Sequence, residues 1–255
     1  MVSLIAVKRV CGVDAIGDGN SCLCAVDSNK NLVYAINTIT KSIYVADMRV
    51  GVTVKTFDIS SYIGDNYIYG VGFDSVLNVI YVSERNDSGD HVCYVDVVDT
   101  KNGVVLRRIK QPYTVGSKNR KYYTCTGVAP DETSNLVFVP QSIDSTYHGV
   151  KIHNLDLRST DELNVKNRDM ESYTLNMITL SFDGNKRLLW VGDTENDKQL
   201  LFDFHKNVLI ATYSNPPGVL SGHNKGMTLD TNRNMYWLCK GLIDDTAGYW
   251  ICEVR

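Results

Sequence analysis

The residues of this chain whose types and spacing could do chemistry are, first, carboxylates gathered in short polar stretches. Asp87 and Asp90 lie in NDSGDH, Asp144 in QSIDSTYHG, Asp193, Glu195 and Asp197 in GDTENDK, and Asp244 and Asp245 in LIDDTAG, with Lys198 the single cation among them. Grouped oxygen ligands can bind Ca²⁺, and carboxylates on one rim attract a basic partner. The same residues also keep a polar loop solvated. A second candidate is the basic stretch QPYTVGSKNRKYYT, where Lys118, Arg120 and Lys121 stand beside Tyr122 and Tyr123. Cations interleaved with aromatic rings can hold a phosphate or a single strand, and they also serve as ordinary solvated surface. A third is His223, just before GMTLD, which reads as a loop imidazole at a strand start, suited to proton transfer or to a plain hydrogen bond. Cys22 and Cys24 form a CxC within a strand; alternation points both to one side, as a zinc pair or as buried thiols. There is no GxSxG, HExxH, P-loop, EF-hand loop or paired CxxC.

The elements that must position these residues are short, β-branched and repetitive. An Asp-led turn recurs between two apolar segments, at Asp27, Asp74, Asp131, Asp183 and Asp230. Four residues after each stands Asn31, Asn78, Asn135, Arg187 or Asn234, followed by LVYAI, VIYV, LVFV, LLWV or MYWLC. Asp and Asn suit such turns because their short side chains bond nearby backbone NH groups and tolerate left-handed conformations. A third strand follows each pair (SIYVADM, HVCYVDVVD, VKIHNLDLR, KQLLFDFH, YWICEVR), and four of the units add a fourth (VTVKTFDI, VVLRRIK, a weaker LNVKN, and VLIATY). The markers are spaced by 47, 57, 52 and 47 residues. Units of roughly 40 to 50 residues with four strands each are the signature of a β-propeller.

The last unit lacks its fourth strand, and the segment VSLIAVKRV stands unpaired before the first marker. Joining the two would close the ring and remove open sheet edges. The expectation is therefore all-β: a single propeller domain over residues 1–255, most simply of five four-stranded blades, near 21–59, 69–110, 124–166, 176–213 and 226–255 with 2–10. Six blades is the alternative, since 255 residues allow it. In a four-stranded antiparallel blade the loop between second and third strands shares one end with the connector to the next blade. The marker turns fall at the opposite end. The acidic stretches thus belong to the connector face.

The segments IYVAD, IYVSE, LVFVP and LLWVG, each followed by a loop and an apolar third strand such as YVDVVDTKNGVVLRRI, resemble the YVTN and NHL classes of propeller repeat. The resemblance covers nearly the whole chain and implies the fold alone, because such repeats serve enzymes, lectin-like binders and docking platforms alike.

Composition narrows the classes. A hydrophobic fraction of 44% supports a sizeable core, and 15 Tyr with many Val and Ile match strand preference. The net charge of -3 and the lack of a long Lys or Arg block disfavour nucleic acid. No apolar run reaches the roughly 18 residues a bilayer span needs. SLIAV is too short for the core of a signal peptide and runs into charged residues. Seven Cys, odd in number and set in strands, agree with a reducing, cytoplasmic setting, while the sequon Asn86 to Ser88 points the other way. The function expected is a binding or interaction module engaging a protein, small-molecule or glycan-like ligand on its loop face, without a required cofactor but with Ca²⁺ as a candidate. The alternative is a metal-assisted hydrolase or lyase at the channel mouth.

Overall fold

The computed structural model describes residues 4–11, 22–86, 92–110, 128–131, 136–144, 147–154, 160–164, 178–193, 198–206, 208–214, 219–229, 235–243 and 246–254. β1 (Leu4–Cys11) comes first. β2 (Cys22–Asp27), β3 (Leu32–Asn37), β4 (Ser42–Asp47) and β5 (Val52–Asp58) make one sheet, and α1 (Ser60–Ile63) leads to the next. That second sheet holds β6 (Tyr67–Asp74), β7 (Val79–Arg85), β8 (Cys93–Asp99) and β9 (Val105–Lys110). The third holds β10 (Ala129–Asp131), β11 (Leu136–Asp144), β12 (Tyr147–Asn154) and β13 (Thr160–Asn164). The fourth holds β14 (Ile178–Asp183), β15 (Leu188–Asp193), β16 (Lys198–Asp203) and β17 (Val208–Ser214). β18 (Val219–Leu229), β19 (Met235–Ile243) and β20 (Thr246–Val254) complete the list.

Among the described residues every sheet has four strands in an antiparallel meander. In the last of them β1 supplies the fourth strand, pairing with β20 from Leu4↔Val254 to Cys11↔Tyr249 across two irregularities. The first strands touch in a cycle, β2 with β6, β6 with β10, β10 with β14, β14 with β18, and β18 with β2. Four-stranded sheets arranged around their first strands define a β-propeller. The fourth strand of the third sheet is Thr160–Asn164, earlier than the LNVKN expected from its apolar residues.

Both faces of the second sheet are buried along β6, β7 and β8, which is why these strands read as nearly unbroken apolar runs, while the edge strand β9 is mostly exposed. One face, with Val71, Phe73, Ile80, Val82 and Val98, packs on Tyr34, Ile36, Ile43, Phe57, Ile59 and Ile63 of the first sheet and its connector. Tyr34 stacks on Phe73 there at 5.3 Å. The other face gathers Val79, Tyr81, Val95, Val97 and Ile109 around Val128. A Cβ on Gly72 would lie 2.5 Å from the Val128 carbonyl oxygen, so this close approach of β6 to the next sheet requires glycine.

The marker turns form as the Asp and Asn pattern dictates. Asp74 accepts hydrogen bonds from the Val76 and Leu77 amides at 2.9 and 2.8 Å, and Asp183 from Asn185 and Lys186 at 3.0 Å each. Asp27 accepts from Lys30 at 3.1 Å. Asn31, Asn78 and Arg187 adopt positive φ of 55°, 54° and 55°. The turns after Asp131 and Asp230 lie outside the described residues. A second set, overlooked in the sequence, joins third to fourth strands. Asp47 with Gly51 at φ 71° and Asp99 with Gly103 at φ 73° use the same Asp-to-left-handed spacing, and Asp203 accepts from the Lys206 amide at 2.9 Å. Neighbouring sheets are tied through this end: Lys30 bonds Asn78, and Arg187 bonds Asp131 at 2.8 Å while lying 4.9 Å from both the Phe182 and Phe204 rings.

Candidate functional site

At the opposite end, where the connectors run, the junction of the first and second sheets concentrates aromatic and cationic side chains. The turn from β3 to β4 is closed by Asn37, whose side chain accepts from the Ile39 and Thr40 amides at 2.9 and 3.0 Å, with Lys41 at φ 57°. This leaves Ile39 at the tip and aims Lys41 at the connector, where its ammonium donates to the Asn66 carbonyl at 2.6 Å and lies 5.8 Å from the Tyr67 ring. Burial lowers the Lys41 pKa, against the Asp65 charge that raises it.

Tyr67 and Tyr69 belong to the beginning of β6, the innermost strand of its sheet. Pairing runs Tyr67↔Arg85, Ile68↔Glu84, then Gly70↔Ser83, so Tyr69 is the extra residue of a bulge. Bulges re-aim side chains at the rims of sheets. Here the bulge sends Ile68 into the core, sets the Tyr67 and Tyr69 rings 6.5 Å apart, and lets Arg85 bond the Tyr69 hydroxyl at 2.7 Å with its guanidinium 4.6 Å from that ring. Tyr67 is 56% exposed, Tyr62 44% and Ile39 68%. Large rings held beside cations at a solvent-facing rim offer stacking faces and charged donors together.

Next to it, two buried carboxylates meet a partly exposed arginine. Glu84 on β7 and Asp96 on β8 are fully buried, and all four carboxylate oxygens are sealed from solvent without a well-formed hydrogen bond among the described residues. Arg108 on β9 supplies the compensating charge. It ion-pairs with Glu84, its Nε lies 3.6 Å from Asp96, its guanidinium sits 4.6 Å from the Tyr94 ring, and it donates to the Tyr62 carbonyl of α1 at 2.7 Å. Cross-strand register sets this up, because Asp96 faces Val82 on one side and Arg108 on the other, while Glu84 faces Tyr94. Burial pushes the Asp96 carboxyl up to about 7 and lowers the Arg108 pKa.

Most of the residues singled out from sequence are not among those the structure describes. Asp87, Asp90, Glu195, Asp197, Asp244 and Asp245, and the basic stretch with Lys118, Arg120, Lys121, Tyr122 and Tyr123, lie outside the described residues. Asp144 and Asp193 are not loop residues but the last positions of β11 and β15, paired with Tyr147 and Lys198. His223 lies within β18 rather than before a strand, because that strand begins at Val219. Cys24 is a buried free thiol, whereas Cys93 is disulfide-bonded, a departure from an all-thiol chain. Glu84, Asp96, Arg108, Tyr69 and Arg85 were overlooked. The available signal was a carboxylate in the middle of an apolar strand, Asp96 in CYVDVVD, which alternation places on a buried face.

No protein-family model matches the chain, and no curated protein matches it. Solved structures do. Glutaminyl cyclase from Myxococcus xanthus superposes with a TM-score of 0.61 at 10% identity, over 100% of this chain and 96% of that one. A luciferin-regenerating enzyme gives 0.56 at 9% identity over 100% and 95%. A chain of a nidogen/laminin complex gives 0.53 at 12% identity over 97% and 92%. At these identities the likeness is one of fold. The protein is of the β-propeller class, and among the described residues no helix is long and apolar enough to cross a membrane.

Proposed function

We propose that the chain is a five-bladed propeller acting as a binding module, and that the connector-face rim of Ile39, Lys41, Tyr62, Tyr67, Tyr69 and Arg85 seats a glycan-like or protein ligand. The observation that carries this reading is Tyr67, more than half exposed at the start of an innermost strand with Lys41 against its ring and the Arg85–Tyr69 pair beside it. Tyr and Arg are the residues that most often dominate binding energy at such surfaces, since they bring large contact area at small entropic cost. The sequence expectation that the acidic segments with Asp87, Asp90, Asp144, Asp193, Glu195, Asp197, Asp244 and Asp245 share the connector side adds a second candidate, one that would engage basic groups or Ca²⁺.

The experiment is a glycan-panel screen and a pull-down with the intact protein, repeated with Tyr67→Ala and Arg85→Ala. Loss of at least about tenfold in affinity, at the roughly 1.4 kcal/mol that tenfold represents, with an unchanged melting temperature supports the rim as the site. A ligand whose affinity is indifferent to both changes, yet falls on replacing Asp193 by Asn, moves the site to the acidic segments.

A further inference from the structure

We propose that Glu84, Asp96 and Arg108 form a proton-sensitive clasp that locks the connector helix α1 onto the second sheet. The site holds two fully buried carboxylates against one guanidinium that reaches them from the partly exposed edge strand β9, so it carries an excess negative charge whenever both acids are ionised. A buried net charge is costly, and the simplest relief is a proton on one carboxyl. Arg108 lies closer to Glu84 than to Asp96, so Asp96 is the acid on which the proposal places the proton.

The groups facing Asp96 are few. From its own strand comes the Tyr94 ring, from β7 Glu84, and from β9 Arg108, with Lys110 exposed at the far edge opposite Tyr94. The first sheet and its connector pack against this face with Ile36, Ile43, Phe57, Ile59 and Ile63, and α1 contributes the Tyr62 carbonyl. The remaining charges of the connector are engaged locally: Asp58 accepts from the Ser60 amide at 2.8 Å, and Lys41 interacts with Asp65 and the Asn66 carbonyl.

α1 is one turn long and has no side-chain N-cap, so it cannot persist without tertiary anchors. Those anchors are the buried Ile59 and Ile63 and the bond from Arg108 to the Tyr62 carbonyl, which satisfies an orphan acceptor of the helix end. With Asp96 protonated, Arg108 serves Glu84 and Tyr62 together. Once Asp96 ionises, a second anion competes for the guanidinium, the arm turns inward, and the Tyr62 carbonyl is released. The helix that presents Tyr62 to the rim therefore loosens as pH rises. Burial raises the Asp96 pKa to about 7, which places the end of that transition near neutrality.

The test is amide hydrogen exchange on the intact protein without ligand, expressed as protection factors that remove the intrinsic pH dependence of exchange. The reporters are the Ile63 and Gly64 amides, which bond to the Ile59 and Ser60 carbonyls at 3.1 and 2.8 Å. In the wild type their protection falls by about tenfold or more as pH rises from about 5 to 7, and then levels off. In Asp96→Asn it stays high and flat. In Glu84→Gln, Asp96 and Arg108 become a neutral pair with no second anion to compete for the guanidinium, and the fall is lost. Flat wild-type protection, or the same fall in Asp96→Asn, overturns the clasp. Because no ligand is present, the outcome is separate from whether the rim binds anything.

Discussion

Asp96→Asn should change not only local exchange but the pH dependence of global stability, and the magnitude follows from its burial. The carboxyl moves from an ordinary value of 3.8 to about 7 in the folded chain, a difference of about three pH units. At 1.36 kcal/mol per unit this corresponds to about 4 kcal/mol. The sign follows from proton binding. The folded state holds the Asp96 proton more tightly than the unfolded state, so stability from this group is fully present below about pH 4. It declines as pH rises and is gone once pH passes about 7. Asparagine keeps a neutral side chain of the same shape and carries no such dependence. Urea denaturation followed by tryptophan fluorescence, run on both proteins from about pH 4 to 8, isolates the group in the difference between the curves. The wild type should lose about 4 kcal/mol relative to the variant across that interval, a large share of the total stability of a typical domain. Parallel curves, differing by a constant offset, would refute the claim that Asp96 is buried without full compensation.

Other outcomes follow from the same packing. Gly72→Ala should destabilise by about 1–3 kcal/mol, read by denaturant midpoint, since the new Cβ would meet the Val128 carbonyl at 2.5 Å and that backbone cannot retreat cheaply. Arg187→Met should cost about 2 kcal/mol by removing the guanidinium from buried Asp131 and from beside the Phe182 and Phe204 rings; a loss below about 0.5 kcal/mol would mark the pair as decorative. Asp74→Ala should cost about 1–2 kcal/mol through two lost amide contacts and leave ligand binding unchanged, because its turn lies at the end opposite the rim. Deleting residues 1–11 uncovers the edge of β20, and soluble monomer should be lost on size exclusion; a monomer melting at the parental temperature would contradict the role of β1. Alkylation before and after reduction should label Cys93 only after reduction.

The sequence by itself determined the strands and the turns between them, because both are written locally. Short apolar, β-branched runs such as CLCAV and VIYV, and an Asp four residues ahead of a left-handed Asn or Arg, decide backbone course within a few residues. Asp27, Asp74 and Asp183 fold as that pattern requires. The partnership of VSLIAVKRV with the end of the chain was legible for a similar reason, since one unit lacked a strand and one strand lacked a unit. Loop carboxylates drew attention because polar loops resemble sites, yet loop composition says nothing about what meets across sheets. Only the tertiary structure decided that a bulge at Tyr69 sets that ring against Arg85 and brings Tyr67 beside a lysine from the neighbouring sheet. Only it brought Glu84, Asp96 and Arg108 together: Asp96 stands out as a carboxylate within CYVDVVD, but nothing local names Glu84 and Arg108 as its neighbours. Their charges acquire meaning from cross-strand register and from the apolar sheet that closes over them, and burial by a neighbour is a property no local window of sequence contains.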